Sequence, residues 1–243
     1  MSVFSYHLIR LPLSVAIKGI FSNPIPKSTK GLIHAEYMTV MTLGSPILSP
    51  SRFLIRQVAI FAQWENEIAL DEYMGEDNFG KRLANGWHVR LDFLRQWGNF
   101  TAFDIPERKE ELEKYSSSVV AVTIARMRPL EVPRFINWGR PVEKLVRDHP
   151  GTTLSLASYS FPNIVSTFSI WKTEKEMTDM VHGHSAVPRP RRHSDAMKER
   201  ARKDFHFEFT TLRFKPIAEF GSWKGQNNFI PGLRIYSQDG NTA

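Results

Sequence analysis

The chain has 243 residues, of which 42% are hydrophobic and 23% are charged, so it can bury a substantial core. It contains no cysteine, which excludes disulfides, iron–sulfur clusters, cysteine nucleophiles and thiolate-ligated haem. The formal net charge is +7. No window of about 18 residues is free of charges and helix breakers, and the N-terminus lacks the pattern of a signal peptide, so neither a membrane span nor a leader is expected.

The first part of the chain predicts a strand, a helix, two strands, a helix and a strand. The strands are indicated by runs of β-branched and aromatic residues with a two-residue alternation. The third run ends at Trp64 and leads into a polar helix start, with Leu70 and Met74 at apolar helical positions. The predicted strands are Val3 to Leu11, Leu32 to Leu43, Phe53 to Trp64 and Trp87 to Trp97.

A charged stretch from Asp104 to Ser118 includes Pro106 and ends in three serines. It has no apolar stripe, so we interpret it as an exposed linker. Trypsin is expected to cut near Arg108 or Lys109 before it cuts any strand.

The second part of the chain predicts the same order of elements. Thr173 is the predicted N-cap of a helix, because Glu176 three residues later completes a capping box. The predicted strands are Val119 to Met127, Thr153 to Tyr159, Ile164 to Trp171 and Phe205 to Phe214.

An internal repeat relates the two parts, because the segment Val58 to Trp64 recurs as Val165 to Trp171 at a shift of 107 residues. A second echo pairs the segments around His88 and His206, which we interpret as equivalent structural positions. The chain therefore predicts two ferredoxin-like βαββαβ units of the α+β class. We assign residues 1–103 to the first unit, 104–117 to the linker, 118–225 to the second unit and 226–243 to a tail.

Each βαββαβ unit carries both helices on one face of its sheet, so its other apolar face needs a cover. Two units in one chain can cover each other, which predicts a pseudo-dimeric α+β barrel. The alternative is a pair of separate ferredoxin-like domains joined by a flexible linker.

Seven short segments are spread over roughly residues 3 to 225, and they begin at Gly31, Met38, Arg56, Thr167, His193, Leu212 and Gly221. Together they resemble the spheroidene monooxygenase family. The resemblance implies the dimeric α/β barrel superfamily, which includes haem-binding chlorite dismutases and aldoxime dehydratases. It also implies a haem-containing oxygenase acting on a carotenoid or another long apolar molecule, with the segment from His182 to Arg192 as an insertion. The segments that carry it are Gly31–Leu32, Met38–Gly44, Arg56–Trp64, Thr167–Trp171, His193–Met197, Leu212–Phe214 and Gly221–Gly225.

Haem iron in a cysteine-free chain needs His, Tyr or Met as its axial ligand. On the helix that it begins, His193 shares a face with Ala196, Met197 and Ala201. This helix lies in the basic segment 188–203, whose net charge of +5 could neutralise the two carboxylates of a haem. The resemblance passes through this helix and supports His193 as the ligand of haem b, with Met197 beside it.

The arginines that precede the helix, Arg189, Arg191 and Arg192, are the candidates for contact with the haem propionates. The residues alone also allow a different arrangement, in which Ser194 or Asp195 caps the helix and the neighbouring histidine has no ligand role. The basic segment itself can be a solvated helix face, an anion site or a contact with an anionic membrane.

Other site chemistries are less well supported. His182, His184 and His193 could form a non-haem metal cluster, although no carboxylate motif accompanies them. Isolated glycines argue against a nucleotide or flavin cofactor. The strand Arg56 to Trp64 lacks the glycine–aromatic motif of RNA-recognition modules, so no nucleic-acid partner is expected.

Three functions stay open from the sequence. The first is a haem-dependent monooxygenase that acts on a hydrophobic, carotenoid-like substrate and takes electrons from an external donor. The second is a haem-dependent dehydratase or isomerase of the aldoxime dehydratase type, and the third is a non-enzymatic haem or lipid carrier. We expect a cytoplasmic location with peripheral membrane contact as an option, and the sequence leaves homo-oligomers open.

Overall fold

A computed structural model of the chain describes residues 2–46, 49, 52–106, 117–233 and 235–236. The first unit comprises β1 (Val3–Arg10), α1 (Leu13–Phe21), β2 (Leu32–Met41), β3 (Phe53–Trp64), α2 (Glu67–Glu76), α3 (Asn78–Ala84) and β4 (Trp87–Asn99). The second comprises β5 (Val119–Met127), a 3-10 turn (Pro129–Glu131), α4 (Val132–Asp148), β6 (Thr152–Ser160), β7 (Ile164–Trp171), α5 (Glu174–His182), α6 (Arg192–Arg202) and β8 (His206–Phe220). A short strand, β9 (Ile235–Tyr236), pairs in parallel with the end of β8.

The two units form one closed antiparallel barrel. In the first unit the strand order is β4-β1-β3-β2, and in the second it is β8-β5-β7-β6. Pairing of β2 with β6 and of β4 with β8 joins the units on both sides, so neither sheet keeps a free edge there. The predicted pseudo-dimeric α+β barrel is confirmed, and two separate domains are excluded.

The barrel interior is a packed apolar core. Alternate residues of all eight barrel strands point inward, and Phe4, Phe61 and Phe214 are completely buried there. The rings of Tyr6 and Phe168, one from each unit, stack with their centroids 3.9 Å apart. Each sheet face that lacked a cover is therefore covered by the other unit.

The segment after β8 closes one end of the barrel. The buried carboxylate of Glu219 accepts hydrogen bonds from the Trp87 indole N–H at 2.8 Å and from the backbone N–H groups of Phe229 and Ile230 at 3.0 and 3.1 Å. Both of the latter residues belong to the sequence-defined tail and are buried in the core. Of the predicted linker, the trypsin sites at Arg108 and Lys109 lie outside the described residues.

The predicted N-cap of α5 is confirmed. The Thr173 hydroxyl accepts a hydrogen bond from the Glu176 backbone N–H at 3.2 Å and donates one to the Glu176 carboxylate at 3.0 Å. At the equivalent position of the first unit, the side chain of Asn66 accepts from the Ala69 N–H at 2.9 Å and caps α2.

Strand register shows that the predicted equivalence of His88 and His206 is wrong. In the first unit His88 pairs with His7, which pairs with Ile60. The same series in the second unit is Thr211, Thr123 and Thr167. His88 is thus equivalent to Thr211 and not to His206, because β8 begins several residues earlier than β4 relative to its partners.

Candidate functional site

Outside the barrel, each sheet faces its own helices, and in the first unit this layer is closed. Val58, Ile60 and Trp64 of the central strand β3 are fully buried beneath the helices. On the neighbouring strands, His7, Tyr37 and His88 are nearly as well buried. Large side chains therefore fill the whole space between this sheet and its helices.

In the second unit the centre of the same layer is open. Register places Thr211, Thr123, Thr167 and Ala157 in one row across four adjacent strands. Thr167 is exposed although β7 is a central strand, and Thr123 and Thr211 are half-buried. The helices leave a cleft above this row because the small side chains beneath them do not fill the layer.

Apolar contacts close the layer only near its two ends. At one end Trp171 packs with Met177 of α5 and Leu145 of α4. At the other end Phe205 packs with Met127 and Phe135. From strand spacing and rise, the floor between these ends measures about 14 Å across the strands and about 13 Å along them. The uncovered part of the sheet is therefore about as wide as it is long.

Helix α6 crosses above this floor. Near its end, the Arg200 guanidinium lies 3.6 Å from the ring centroid of Phe209, on one side of the threonine row. Near its start, His193 reaches Val181, and both Val181 and Ala121, on the other side of the row, pack against the cluster around Trp171. Between these two contacts α6 packs on α4 and α5, and Thr167 of the sheet stays exposed.

His193 is held in the orientation that metal ligation requires. Its ring Nδ1 donates a hydrogen bond to the Val181 backbone carbonyl at 3.1 Å, which fixes the lone pair of the neutral ring on Nε2. Nε2 has no hydrogen-bond partner among the described residues. Burial lowers the pKa of His193 below its ordinary value, and the nearby His182 lowers it further, against the opposing effect of the hydrogen bond to Val181.

The predicted apolar face of α6 is only partly buried. Ala196 is 3% exposed, whereas Met197 is 37% exposed and Ala201 lies in solvent. The face that His193 shares with these three residues is therefore buried only at Ala196. Helix packing explains the difference, since α6 contacts α4 and α5 and leaves the centre of the sheet uncovered.

The basic segment divides into paired and unpaired cations. Lys198, Arg200, Arg202 and Lys203 each form an ion pair with a carboxylate. By contrast, the candidate propionate contacts form no ion pair within the described part of the chain. These are Arg189 and Arg191, which are exposed, and Arg192, which is half-buried.

The predicted non-haem cluster does not assemble. His182 and His184 are exposed, with ring centroids 6.1 Å apart. Within residues 2–46, 49, 52–106, 117–233 and 235–236, no group of three or more His, Asp or Glu side chains is placed to hold a metal ion. His193 is half-buried, unlike the other two histidines.

Sequence reasoning missed the floor and one edge of the cleft. At the edge, Trp97 extends the threonine row and is 43% exposed. Arg95 and Arg213 flank its ring at 4.6 and 4.5 Å, and both pair with Glu174 at the start of α5. A usable signal existed, because the repeat aligns the apolar Ile60 with the polar Thr167.

No protein-family model matches this sequence, and no curated protein matches it. Solved structures do share its architecture. An aldoxime dehydratase co-crystallised with butyraldoxime superposes with a TM-score of 0.54 at 8% identity, covering 88% of this chain and 79% of that one. This likeness shows that the two chains share the fold.

Two smaller proteins show weaker similarity. A heme-degrading enzyme from Listeria monocytogenes has a TM-score of 0.30 at 11% identity and covers 89% of this chain and 100% of its own. A monooxygenase-like protein from Listeria innocua has a TM-score of 0.27 at 11% identity, with coverages of 87% and 94%.

Proposed function

We propose that the protein is a haem-dependent monooxygenase that binds haem b in the cleft between the second sheet and helices α4, α5 and α6. His193 is the axial ligand in this proposal. The observation that carries it is the open layer above Thr123 and Thr167, beneath a helix that presents an imidazole with a free Nε2. The proposed substrate is a hydrophobic, carotenoid-like molecule, and an external donor supplies electrons.

The residues of the cleft fit a haem in three respects. Small side chains on the floor leave room for a flat macrocycle. The Nδ1–H of His193 is bound to a backbone carbonyl, as is usual for a ligating histidine. Arg189, Arg191 and Arg192 are cations without carboxylate partners among the described residues, so they are available to two propionates.

When bound, haem would supply the iron that activates oxygen, which no side chain of this chain can do alone. The protein's own part is to bind and orient. His193 holds the ring in place and sets its electron density, the arginines fix its carboxylates, and α6 shields one face from water. Trp97, flanked by two arginines, provides an apolar surface at the edge where a hydrophobic substrate would enter.

A dehydratase or isomerase is the second candidate, because an aldoxime dehydratase shares this fold with a TM-score of 0.54. Such a reaction needs no oxygen and no net electron supply. A non-enzymatic haem or lipid carrier would use the same cleft without turning over either kind of substrate.

The test begins with haem titration of the purified protein, followed by its visible spectrum. A Soret band that saturates at one haem per chain is expected for the unaltered protein. His193→Ala should lose or strongly weaken this band while its circular dichroism is unchanged, because the substitution removes a ligand and not a core contact. His182→Ala and His184→Ala are matched controls on exposed histidines and should retain the band.

A full Soret band with unchanged ligand-field features in His193→Ala would show that this assignment is wrong. With haem bound, oxygen uptake in the presence of a reductant and an apolar substrate supports the monooxygenase. Conversion of butyraldoxime to a nitrile without oxygen would support the dehydratase instead.

A further inference from the structure

Helix α1 turns an apolar stripe toward solvent. Its inner face is seated firmly, because the Tyr37 hydroxyl donates to the Ala16 carbonyl at 3.2 Å and Gly19 lies against the Tyr37 ring. The outward stripe consists of side chains one turn apart, and their exposed fractions are 52% for Leu13, 42% for Ile17 and 72% for Phe21. Because these three side chains are exposed, they add little to the stability of the fold.

The stripe continues onto the second unit. The ring of Phe161, on the turn between β6 and β7, is 55% exposed and lies 5.5 Å from that of Phe21. Two residues earlier, the ring of Tyr159 packs edge-on against that of Phe53, with the ring centroids 6.0 Å apart. We call this surface the α1 patch, and its exposed members are Leu13, Ile17, Phe21, Phe53, Ile55 and Phe161.

The α1 patch concentrates exposed apolar area. It contains six of the twelve large hydrophobic side chains that are exposed among the described residues. Scattered exposed hydrophobics are ordinary, but a contiguous group marks a surface that meets another apolar phase.

The exposed charge around the patch is of one sign. The segments that form it, residues 2–64 and 149–173, contain a single acidic residue, Glu36, which is buried. Exposed cations accompany the apolar side chains at Arg10, Lys18 and Arg56. A second copy of the chain docked by a two-fold axis would bring like charges together, whereas an anionic surface would be attracted.

We propose that the α1 patch docks the protein onto an anionic membrane surface. The apolar side chains would enter the region between headgroups and acyl chains, and the cations would meet lipid phosphates. Helix α1, with 9 residues, is about 14 Å long and would lie in the plane of the interface. Among the described helices, none is both long enough and apolar enough to cross a bilayer.

A cleft beside the start of α1 offers a place for a headgroup. Its volume is about 600 Å³, and Arg10, Arg82 and Lys224 are among the residues that line it. No carboxylate lines it, and none of these three cations forms an ion pair within the described part of the chain. Arg10, Leu11 and Pro12 connect the cleft directly to the first residue of the stripe.

This surface differs from the basic segment 188–203, which the sequence indicated as a membrane contact. Four of the seven cations in that segment are neutralised by ion pairs, and it carries no comparable apolar group. The proposal does not depend on haem, because neither the patch nor the cleft includes a residue of α4, α5 or α6.

The test is flotation of the full chain with phosphatidylcholine vesicles, with and without phosphatidylglycerol. Binding is expected only with phosphatidylglycerol, and added salt should weaken it. Phe21→Ser combined with Phe161→Ser should lower the binding constant by at least about tenfold, since two aromatic side chains no longer leave water. Lys18→Ser should lower it about fivefold, and Arg82→Ser by a similar factor.

Matched controls lie elsewhere on the surface. Ile68 is 69% exposed and lies on α2, outside the patch, so Ile68→Ser should bind vesicles normally. Lys198→Ser, on α6, tests the basic segment. All variants should melt like the parent protein, because only exposed side chains change.

Several outcomes would overturn the proposal. They are an absence of binding to either vesicle, equal losses in Ile68→Ser and the phenylalanine variant, or an equal loss in Lys198→Ser and Lys18→Ser. A concentration-dependent dimer seen by light scattering and abolished by Phe21→Ser would assign the patch to a second copy. Repeating the flotation with and without haem separates this result from the fate of the proposed function.

Discussion

The two helix–sheet layers of this barrel have the same strand register and opposite packing. In the first layer, large side chains fill the space beneath the helices and exclude water. In the second, small polar side chains leave the centre of the sheet accessible. The contrast is clearest in one row, which reads His88, His7, Ile60 and Tyr37 in the first unit and Thr211, Thr123, Thr167 and Ala157 in the second.

This difference teaches how a duplicated fold can separate stability from binding. The first layer contributes the apolar area that a barrel of this size needs. The second gives up part of that area and gains a cleft under α6. A residue that stabilises the protein at one position therefore corresponds to a residue that makes room for a ligand at the other.

The largest expected effect comes from exchanging the central residues of the two layers. Ile60→Thr should lower the free energy of unfolding by about 2–4 kcal/mol, because it leaves a cavity and buries a hydroxyl group without a hydrogen-bond partner. Thr167→Ile should change it by no more than about 0.5 kcal/mol, because the side chain is already exposed. Urea unfolding of both variants measures the difference.

Haem titration of the same two variants tests the difference between the two layers in a second way. Thr167→Ile should weaken haem binding because it narrows the cleft, whereas Ile60→Thr should leave haem binding unchanged in the folded fraction. Equal losses of stability in the two variants would contradict an open second layer.

The next effect concerns acid stability, to which the buried histidines of the closed layer should contribute. His206 in the second unit, whose pKa burial lowers to about 4, should contribute as well. Burial, and secondarily the charge of Arg90, lowers the pKa of His88 to about 3, and burial lowers the pKa of His7 well below its ordinary value. Each stays neutral in the folded state while the unfolded chain takes up a proton below pH 6.5. Stability is therefore complete above that pH and should fall by about 2 kcal/mol per histidine by pH 5.

His88→Phe should flatten this pH dependence. The ring lies stacked between those of His7 and Phe220, and neither of its nitrogens has a hydrogen-bond partner among the described residues. His88→Gln removes the same titrating group with a polar side chain, so it should flatten the curve equally. Unfolding measured between pH 5 and 7 decides the matter, and an unchanged slope in both variants would show that another group controls acid stability.

The smallest effect concerns the N-caps of α2 and α5, and it should be the same in both units. Asn66 and Thr173 occupy equivalent N-caps, each with a side-chain oxygen that accepts a backbone N–H three residues later. Asn66→Ala and Thr173→Ala should each cost about 1 kcal/mol. Thermal unfolding measures this, and a much larger cost in one unit would show that its cap also organises the neighbouring layer.

The sequence by itself determined the fold class and the repeat. Local patterning was sufficient for this, because β-branched and aromatic runs mark strands and the Trp64 and Trp171 segments repeat in order. The need of two apolar sheet faces for a mutual cover then predicted the barrel. Strand ends were less predictable, since β4 and β8 are extended to Asn99 and Phe220 by pairing with each other.

Only the tertiary structure decided where the protein is open. His193 could be singled out from its residue type and its neighbours, but its bond to Val181 joins two helices and has no local signature. The cleft depends on a row of residues from four strands that are far apart in sequence. Whether Thr167 is covered depends on the path of α6 above it, which is set by contacts with α4 and α5, and no local pattern encodes those contacts.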